Sequence, residues 1–167
     1  MSTGRPWSSY YLVAGTSFWS VMALGGGYGL ASAPDGAALH FDTAWLSGTP
    51  FRDYLGPGLI LAGSGVAGLA SSALVVRALR AARDGRAVPA RDRYLVTGVA
   101  AVHAGWIAGE LVLLWDVVAG LPAEQRRFFH GFWWVFTPLT ALNLAAALAP
   151  ATRRTLGRRG GSSRVSH

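Results

Sequence analysis

The chain has 167 residues, of which 51% are hydrophobic and 14% are charged, and its mean hydropathy is +0.33. Soluble domains carry about 25% charged residues, so this composition excludes an ordinary soluble domain and a disordered chain. There is no cysteine and no lysine, which excludes disulfides, thiolate metal sites and Schiff-base chemistry. The net charge of +7 comes from arginines that flank apolar stretches, so no nucleic-acid partner is expected.

Four long stretches with almost no charge predict four membrane-spanning helices, at about residues 10–32, 55–77, 94–117 and 128–149. Each has roughly the 20 apolar residues that a helix needs to cross a hydrocarbon core of about 30 Å. The expected fold is therefore all-α: residues 1–151 form a four-transmembrane-helix bundle in the lipid bilayer. The Arg, Gly and Ser residues of 152–167 predict a disordered basic tail.

The arginines predict how the spans are oriented. Twelve lie in the N-terminal segment, the loop at 77–93 and the C-terminal tail, whereas the other two loops carry three. By the positive-inside rule, both termini are expected to be cytoplasmic in a multi-pass protein of the bacterial cytoplasmic membrane. The row Arg77, Arg80 and Arg83 continues the second helix beyond the membrane, where we expect it to contact anionic lipid headgroups on the cytoplasmic side.

The first outer loop, residues 33–57, has more large apolar side chains than a linker needs. This density predicts a short amphipathic segment that lies in the outer interface or caps the bundle. Pro57 is suited to the first turn of the second span. The residues of interest in this loop are Asp42, Trp45, Phe51, Asp53, Tyr54 and Pro57.

Two sequence patterns stand out between residues 20 and 115. The first reads Gly25-Gly26-Gly27, Pro34-x-Gly36, Thr49-Pro50-Phe51-x-Asp53-Tyr54-Leu55-x-Pro57-Gly58-Leu59-x-Leu61 and Gly65. The second reads Gly105-Trp106-Ile107-x-x-Glu110-Leu111. Together they resemble a family of small four-span bacterial membrane proteins of uncharacterised function. The resemblance implies a compact four-helix membrane fold, and it implies no activity, substrate or catalytic residue.

Small residues spaced by four indicate where helices approach each other closely in a bilayer. The second span has Ser64, Gly68 and Ser72 at this spacing, and the third span has Ala101, Gly105 and Gly109. We expect these faces to pack within the bundle, or against a protein partner or a second copy of the chain.

His103 and Glu110 are the only ionisable side chains well inside a predicted span. Seven positions apart, they share one stripe of the helix, about 10 Å apart along its axis. With Thr137, Thr140 and Asn143 of the fourth span they predict a polar seam at the bundle centre. A buried carboxyl group is costly unless it is neutral or paired, so Glu110 is expected to face the bundle interior or a partner. Candidate hydrogen-bond partners are Ser20, Thr137, Thr140 or a tryptophan.

Three functions remain open on the sequence alone. The first is a non-catalytic accessory, assembly or structural subunit, because no catalytic motif is present and no metal or cofactor is expected. The second is a small transport or proton-coupling protein that uses Glu110 and His103. The third is a membrane enzyme acting on a lipid or quinone at the outer interface. Its acid–base candidates are His40, Asp42, Asp53 and His130.

Overall fold

The computed structural model describes residues 7–157, and all secondary structure in this part of the chain is helical, as predicted. Two short 3₁₀ turns, Ala37–Leu39 and Thr43–Leu46, lie in the first loop. The five α-helices are α1 (Trp7–Ser32), α2 (Leu55–Arg83), α3 (Ala90–Ala119), α4 (Ala123–Leu148) and α5 (Pro150–Leu156).

Three helices in the described part are long and apolar enough to cross a membrane: α2, α3 together with Gly120, and α4. They fit the predicted small integral membrane protein. Helix α1 has 26 residues, but its length and hydropathy do not place it among these candidate spans. Its role as a fourth span remains a prediction.

The long helices form a ring in which each contacts two neighbours. Helix α1 packs along α2 and α3 along α4, while α1 also meets α4 and α2 meets α3. Helices α1 and α2 approach each other closely at Gly27 and Gly58. A Cβ atom added at Gly27 would lie 2.5 Å from the backbone nitrogen of Ala62 and 2.8 Å from the carbonyl oxygen of Gly58. The two backbones therefore touch here.

The bundle has two different ends, with apolar clusters along its core. The arginine-rich end contains the loop between α2 and α3 and the short helix α5, and its inner cluster includes Leu12, Val75, Val96, Ala147 and Leu156. A middle layer of Trp19, Ala23, Ile107 and Phe136 follows. The loop end contains the first outer loop, where Leu30, Leu46 and Tyr54 pack together next to Val118, Phe129 and Trp133.

Two of the three arginines in the row of α2 bond to other side chains of this protein. Arg77 forms an ion pair with the carboxylate of Asp92 in α3, and Arg83 donates to the Tyr10 hydroxyl at 3.0 Å. Only Arg80 has no side-chain partner within residues 7–157, although all three side chains are exposed. Contact of this exposed row with lipid headgroups remains a prediction; the sequence does not reveal Asp92 as a partner because it lies 15 residues from Arg77 across a loop.

Part of the segment predicted to be a disordered tail is helical. Residues 152–156 belong to α5, so the prediction of disorder is wrong for them. Leu156 is fully buried in the inner cluster, and the hydroxyl groups of Thr152 and Ser8 lie 2.8 Å apart. A single leucine in an otherwise polar segment is enough to dock this helix, because it completes an existing apolar cluster. Residues 158–167 lie outside the described part of the chain.

Candidate functional site: an apolar cavity at the loop end

A cavity of about 1230 Å³ lies beneath the first outer loop. Residues of α1, α2, α3, α4 and the loop line it, and eleven of the 31 lining residues are aromatic. Its volume exceeds the roughly 300–1,000 Å³ of ordinary small-molecule pockets. Lining side chains such as Phe18, Leu113 and Phe128 are half or more exposed, so the cavity opens at the flanks of the bundle.

The outer loop forms the roof of this cavity through aromatic contacts with α4. The rings of Phe41 and Trp45 lie 5.8 and 5.6 Å from the ring of Phe129, centroid to centroid. Trp45 and Phe51 are both half-buried and line the cavity. Pro57 is buried in the first turn of α2 and lines it as well.

Acidic side chains of the loop accept hydrogen bonds from nearby backbone N–H groups. A carboxylate oxygen of Asp42 accepts from the backbone N–H of Ala44 at 2.8 Å, and one of Asp53 accepts from that of Leu55 at 3.0 Å. The buried Tyr54 hydroxyl donates to the Asp42 carbonyl oxygen at 2.8 Å. Burial, reinforced by the charge of Asp42, raises the pKa of Tyr54 to about 12, so this phenol stays neutral at physiological pH.

The outer histidines do not join these acids in a metal site. No group of three His, Asp or Glu residues suited to a metal ion occurs between residues 7 and 157. His40 lines the cavity with its backbone in the left-handed region, at φ 58°. The ring of His130 instead lies 6.1 Å from that of Trp133.

Glu110 is the polar residue of greatest interest in the cavity lining. It is half-buried, and its Oε1 accepts a hydrogen bond of 2.7 Å from the indole N–H of Trp106, one turn earlier in α3. The partner is therefore on the same helix, and Ser20, Thr137 and Thr140 do not bond to Glu110. It makes no other hydrogen bond within residues 7–157.

His103 lies in the core rather than in the cavity. Its side chain is fully buried, and Nε2 lies 3.1 Å from the carbonyl oxygen of Ser64 in α2. Because a carbonyl only accepts, Nε2 carries the proton, and the buried Nδ1 has no partner in the described part of the chain. A Cβ atom at Gly68 would lie 2.9 Å from the Cε1 atom of His103, so this glycine makes room for the ring.

The middle layer divides the predicted polar seam. Trp19 lines the cavity, and its ring lies 5.3 Å from the ring of His103 on the other side. Ile107, which is fully buried, lies between His103 and Glu110 along α3. Within residues 7–157 the hydrogen bonds of these two side chains therefore do not form one continuous path from Glu110 to His103.

The seam residues of α4 are also separated from Glu110. Thr140 is buried, and its hydroxyl donates to the Phe136 carbonyl of its own helix at 2.8 Å. Asn143 is fully buried against Gly15 of α1. Thr137 is exposed on the outside of α4, so it does not belong to a central seam.

The small-residue face of α2 lies against α1. Ser64, Gly68 and Ser72 are buried, and the Ser17 hydroxyl of α1 donates to the Ser72 hydroxyl at 3.1 Å. A Cβ atom at Gly68 would collide with the Ser20 side chain of α1.

The small-residue face of α3 has a different environment. A Cβ atom at Gly105 or Gly109 would meet nothing within 4 Å, and Ala101 is exposed. Both glycines line the cavity. No helix in the described part packs against them, so the expected packing within the bundle is absent at these two positions.

Comparison with protein families, curated proteins and solved structures gives no match to this chain. The resemblance of residues 20–115 to a four-span family therefore remains a prediction.

Proposed function

We propose that this protein is a small, non-catalytic integral membrane protein that binds an apolar or amphiphilic molecule of the bilayer in the cavity at the loop end. The observation that supports the proposal is the cavity itself: about 1230 Å³, open at the flanks and lined largely by aromatic and aliphatic side chains. In a bilayer those flanks face lipid, so a ligand enters sideways without crossing water.

Hydrophobicity alone does not hold such a ligand, because lipid tails are as apolar as the cavity lining. Binding therefore depends on shape, on contacts with aromatic rings and on the few polar groups available. Tyr54 and Thr49 already use their hydroxyl groups within the loop, at 2.8 Å from the carbonyl oxygens of Asp42 and Leu46. Arg127 and His40 lie nearer the mouth, so Glu110 is the polar side chain deeper in the cavity that selects the ligand.

Filling the cavity provides the test. Replacing Gly109 by leucine is expected to weaken binding of anthracene, a neutral apolar probe, at least tenfold, because the side chain enters the cavity without meeting another atom at its Cβ. Saturable energy transfer from tryptophan to anthracene measures the binding in detergent.

Gly98→Leu is the matched control. Gly98 lies on the same helix with open space at its Cβ, but it does not line the cavity. It should leave anthracene binding unchanged. Absence of saturable binding in the wild type, or equal binding by the Gly109→Leu protein, would refute the proposal.

A second candidate function, an accessory or assembly subunit, is supported by the open face of α3. Gly98, Ala101 and Gly105 are exposed there, and small residues allow a helix of a protein partner or second copy to approach closely. Purification in mild detergent distinguishes the two functions. A second subunit in fixed stoichiometry would favour assembly, whereas a lone chain that still binds anthracene would favour ligand binding.

We further propose that the arginine-rich end faces the cytoplasm, on the basis of the arginine distribution. A single cysteine at Ser47 in the outer loop should react with an impermeant maleimide added to intact cells. A cysteine at Ala87, which is equally exposed at the other end, should react only after the membrane is opened. The chain has no native cysteine, so labelling reports these positions alone. The opposite pattern would reverse the orientation.

A further inference from the structure

Within residues 7–157, Glu110 is the only acidic residue that lines the cavity. No arginine or histidine of the described chain forms an ion pair with it; the three ion pairs within residues 7–157 involve Asp84 and Asp92. Its single hydrogen bond comes from the indole of Trp106. One indole donor does not compensate a carboxylate for the loss of water, which costs several kcal/mol in a bilayer. The carboxyl group therefore carries a proton or requires a cation beside it.

The two basic residues in the lining lie nearer the mouth. Arg127 is exposed and only four residues from the start of α4, about 6 Å along the axis. Glu110 is nine residues before the end of α3, about 13 Å deep. His40 belongs to the roof. A ligand at Glu110 is thus separated by several ångströms of depth from the positive charge at the mouth.

The surroundings of Glu110 suit a cation that is itself apolar. Eleven aromatic residues line the cavity, and the negative faces of aromatic rings attract cations by about 2 kcal/mol where water is excluded. Trp106 both orients the carboxyl group and presents a ring beside it. A small hydrated ion gains nothing from this lining, whereas a cation with aromatic or alkyl groups gains from the rings and from the carboxylate.

We infer that the cavity binds lipophilic cations, and that the cation and a proton compete for the carboxyl group of Glu110. This inference rests on the proposed ligand-binding function and names its ligand class. When the cation binds, the Glu110 O–H bond breaks and the proton leaves to solvent, so the net charge of the site is unchanged. The bound cation then supplies the positive charge that the proton supplied before.

The other titratable groups around the cavity are few. The lining residues of α1 and α2 include none, α4 contributes Arg127, and the loop contributes His40 and Tyr54. His103 lies behind Trp19, outside the lining. An imidazole that carries a proton repels a cation, and His40 is the histidine in the lining. The experiment must therefore separate His40 from Glu110.

Equilibrium dialysis of radiolabelled tetraphenylphosphonium against the purified full-length protein tests the inference. We expect the affinity to be at least tenfold higher at pH 8.5 than at pH 5.5, because fewer protons compete at the higher pH. Tetraphenylborate, an anion of the same shape, should bind no better at pH 8.5. Glu110→Gln keeps an oxygen for the Trp106 N–H but has no charge. It should lose tenfold or more of the phosphonium affinity at pH 8.5 while anthracene binding persists.

The controls distinguish this inference from the proposed function. His40→Gln should retain the pH dependence of phosphonium binding. The cation inference is wrong if the wild type binds anthracene but takes up tetraphenylphosphonium and tetraphenylborate equally. It is also wrong if Glu110→Gln or His40→Gln gives the opposite of the stated result. In either case the apolar-ligand function stands. If the wild type binds neither anthracene nor the phosphonium, the proposed function is wrong.

Discussion

Replacing Gly27 by alanine is expected to destabilise the bundle by about 1–3 kcal/mol, the usual cost of overpacking a tight contact. The added Cβ would lie 2.5 Å from the Ala62 backbone nitrogen and 2.8 Å from the Gly58 carbonyl oxygen. Both are backbone atoms, so no side chain can rotate away, and α1 and α2 must separate. Unfolding by sodium dodecyl sulfate in mixed micelles, followed by circular dichroism, measures the loss.

Gly25→Ala is the matched control, two residues earlier in the same helix. A Cβ atom at Gly25 meets nothing within 4 Å. Alanine has a higher helix propensity than glycine by about 1 kcal/mol, so this variant should be neutral or slightly more stable. Equal stability of the two variants would show that α1 and α2 do not touch at Gly27.

The second large effect is expected at the arginine-rich end. Asp92 is 1% exposed and forms an ion pair with Arg77, whose side chain is 56% exposed, and a longer one of 3.9 Å with the more exposed Arg91. Removing one partner of a fully buried pair costs roughly 3–5 kcal/mol. Solvent around Arg77 reduces this, so we expect Arg77→Ala to cost about 2 kcal/mol. The same unfolding titration measures it.

Arg80→Ala removes the same charge three residues away, from a side chain with no partner within residues 7–157. It should have little effect on the free energy of unfolding. Adding Asp92→Asn to the Arg77→Ala protein should recover part of the lost stability, since the buried carboxylate, left with only the longer Arg91 contact, is then replaced by a neutral amide. No recovery would mean that Arg77 stabilises the bundle by packing rather than by charge.

Much of the fold follows from the sequence because hydropathy and charge are local signals. Helix α2 begins at Leu55, which is the predicted first residue of its span. It ends at Arg83, which agrees with the prediction that the arginine row continues the helix beyond the membrane. Helix α3 begins at Ala90 and α4 at Ala123, four and five residues before the predicted spans, because the membrane boundary of a helix is not its end. Docking of α5 through Leu156 depends on a cluster built by distant residues, which composition does not reveal.

The sequence predicts less of the candidate site than of the fold. Glu110 is visible as an isolated acid in an apolar stretch, and its donor Trp106 follows from the four-residue spacing on a helix. The cavity is not visible, because it exists only where the four long helices separate under the roof formed by Phe41 and Trp45. The predicted seam also assumed that one helical stripe faces one environment, whereas Ile107 and Trp19 separate His103 from Glu110.

The middle layer has an electrical consequence. Trp19, Ile107 and Phe136 are almost fully buried and close the cavity toward the arginine-rich end, so an ion that enters must leave by the same side. A charge crossing the whole membrane changes its energy by about 2.3 kcal/mol per 100 mV. Glu110 lies part of the way along that drop, nine residues before the end of α3. Because a proton leaves by that same side when the cation binds, the exchange moves no net charge through the field, so the membrane potential should neither tighten cation binding to the protonated site nor drive a steady current.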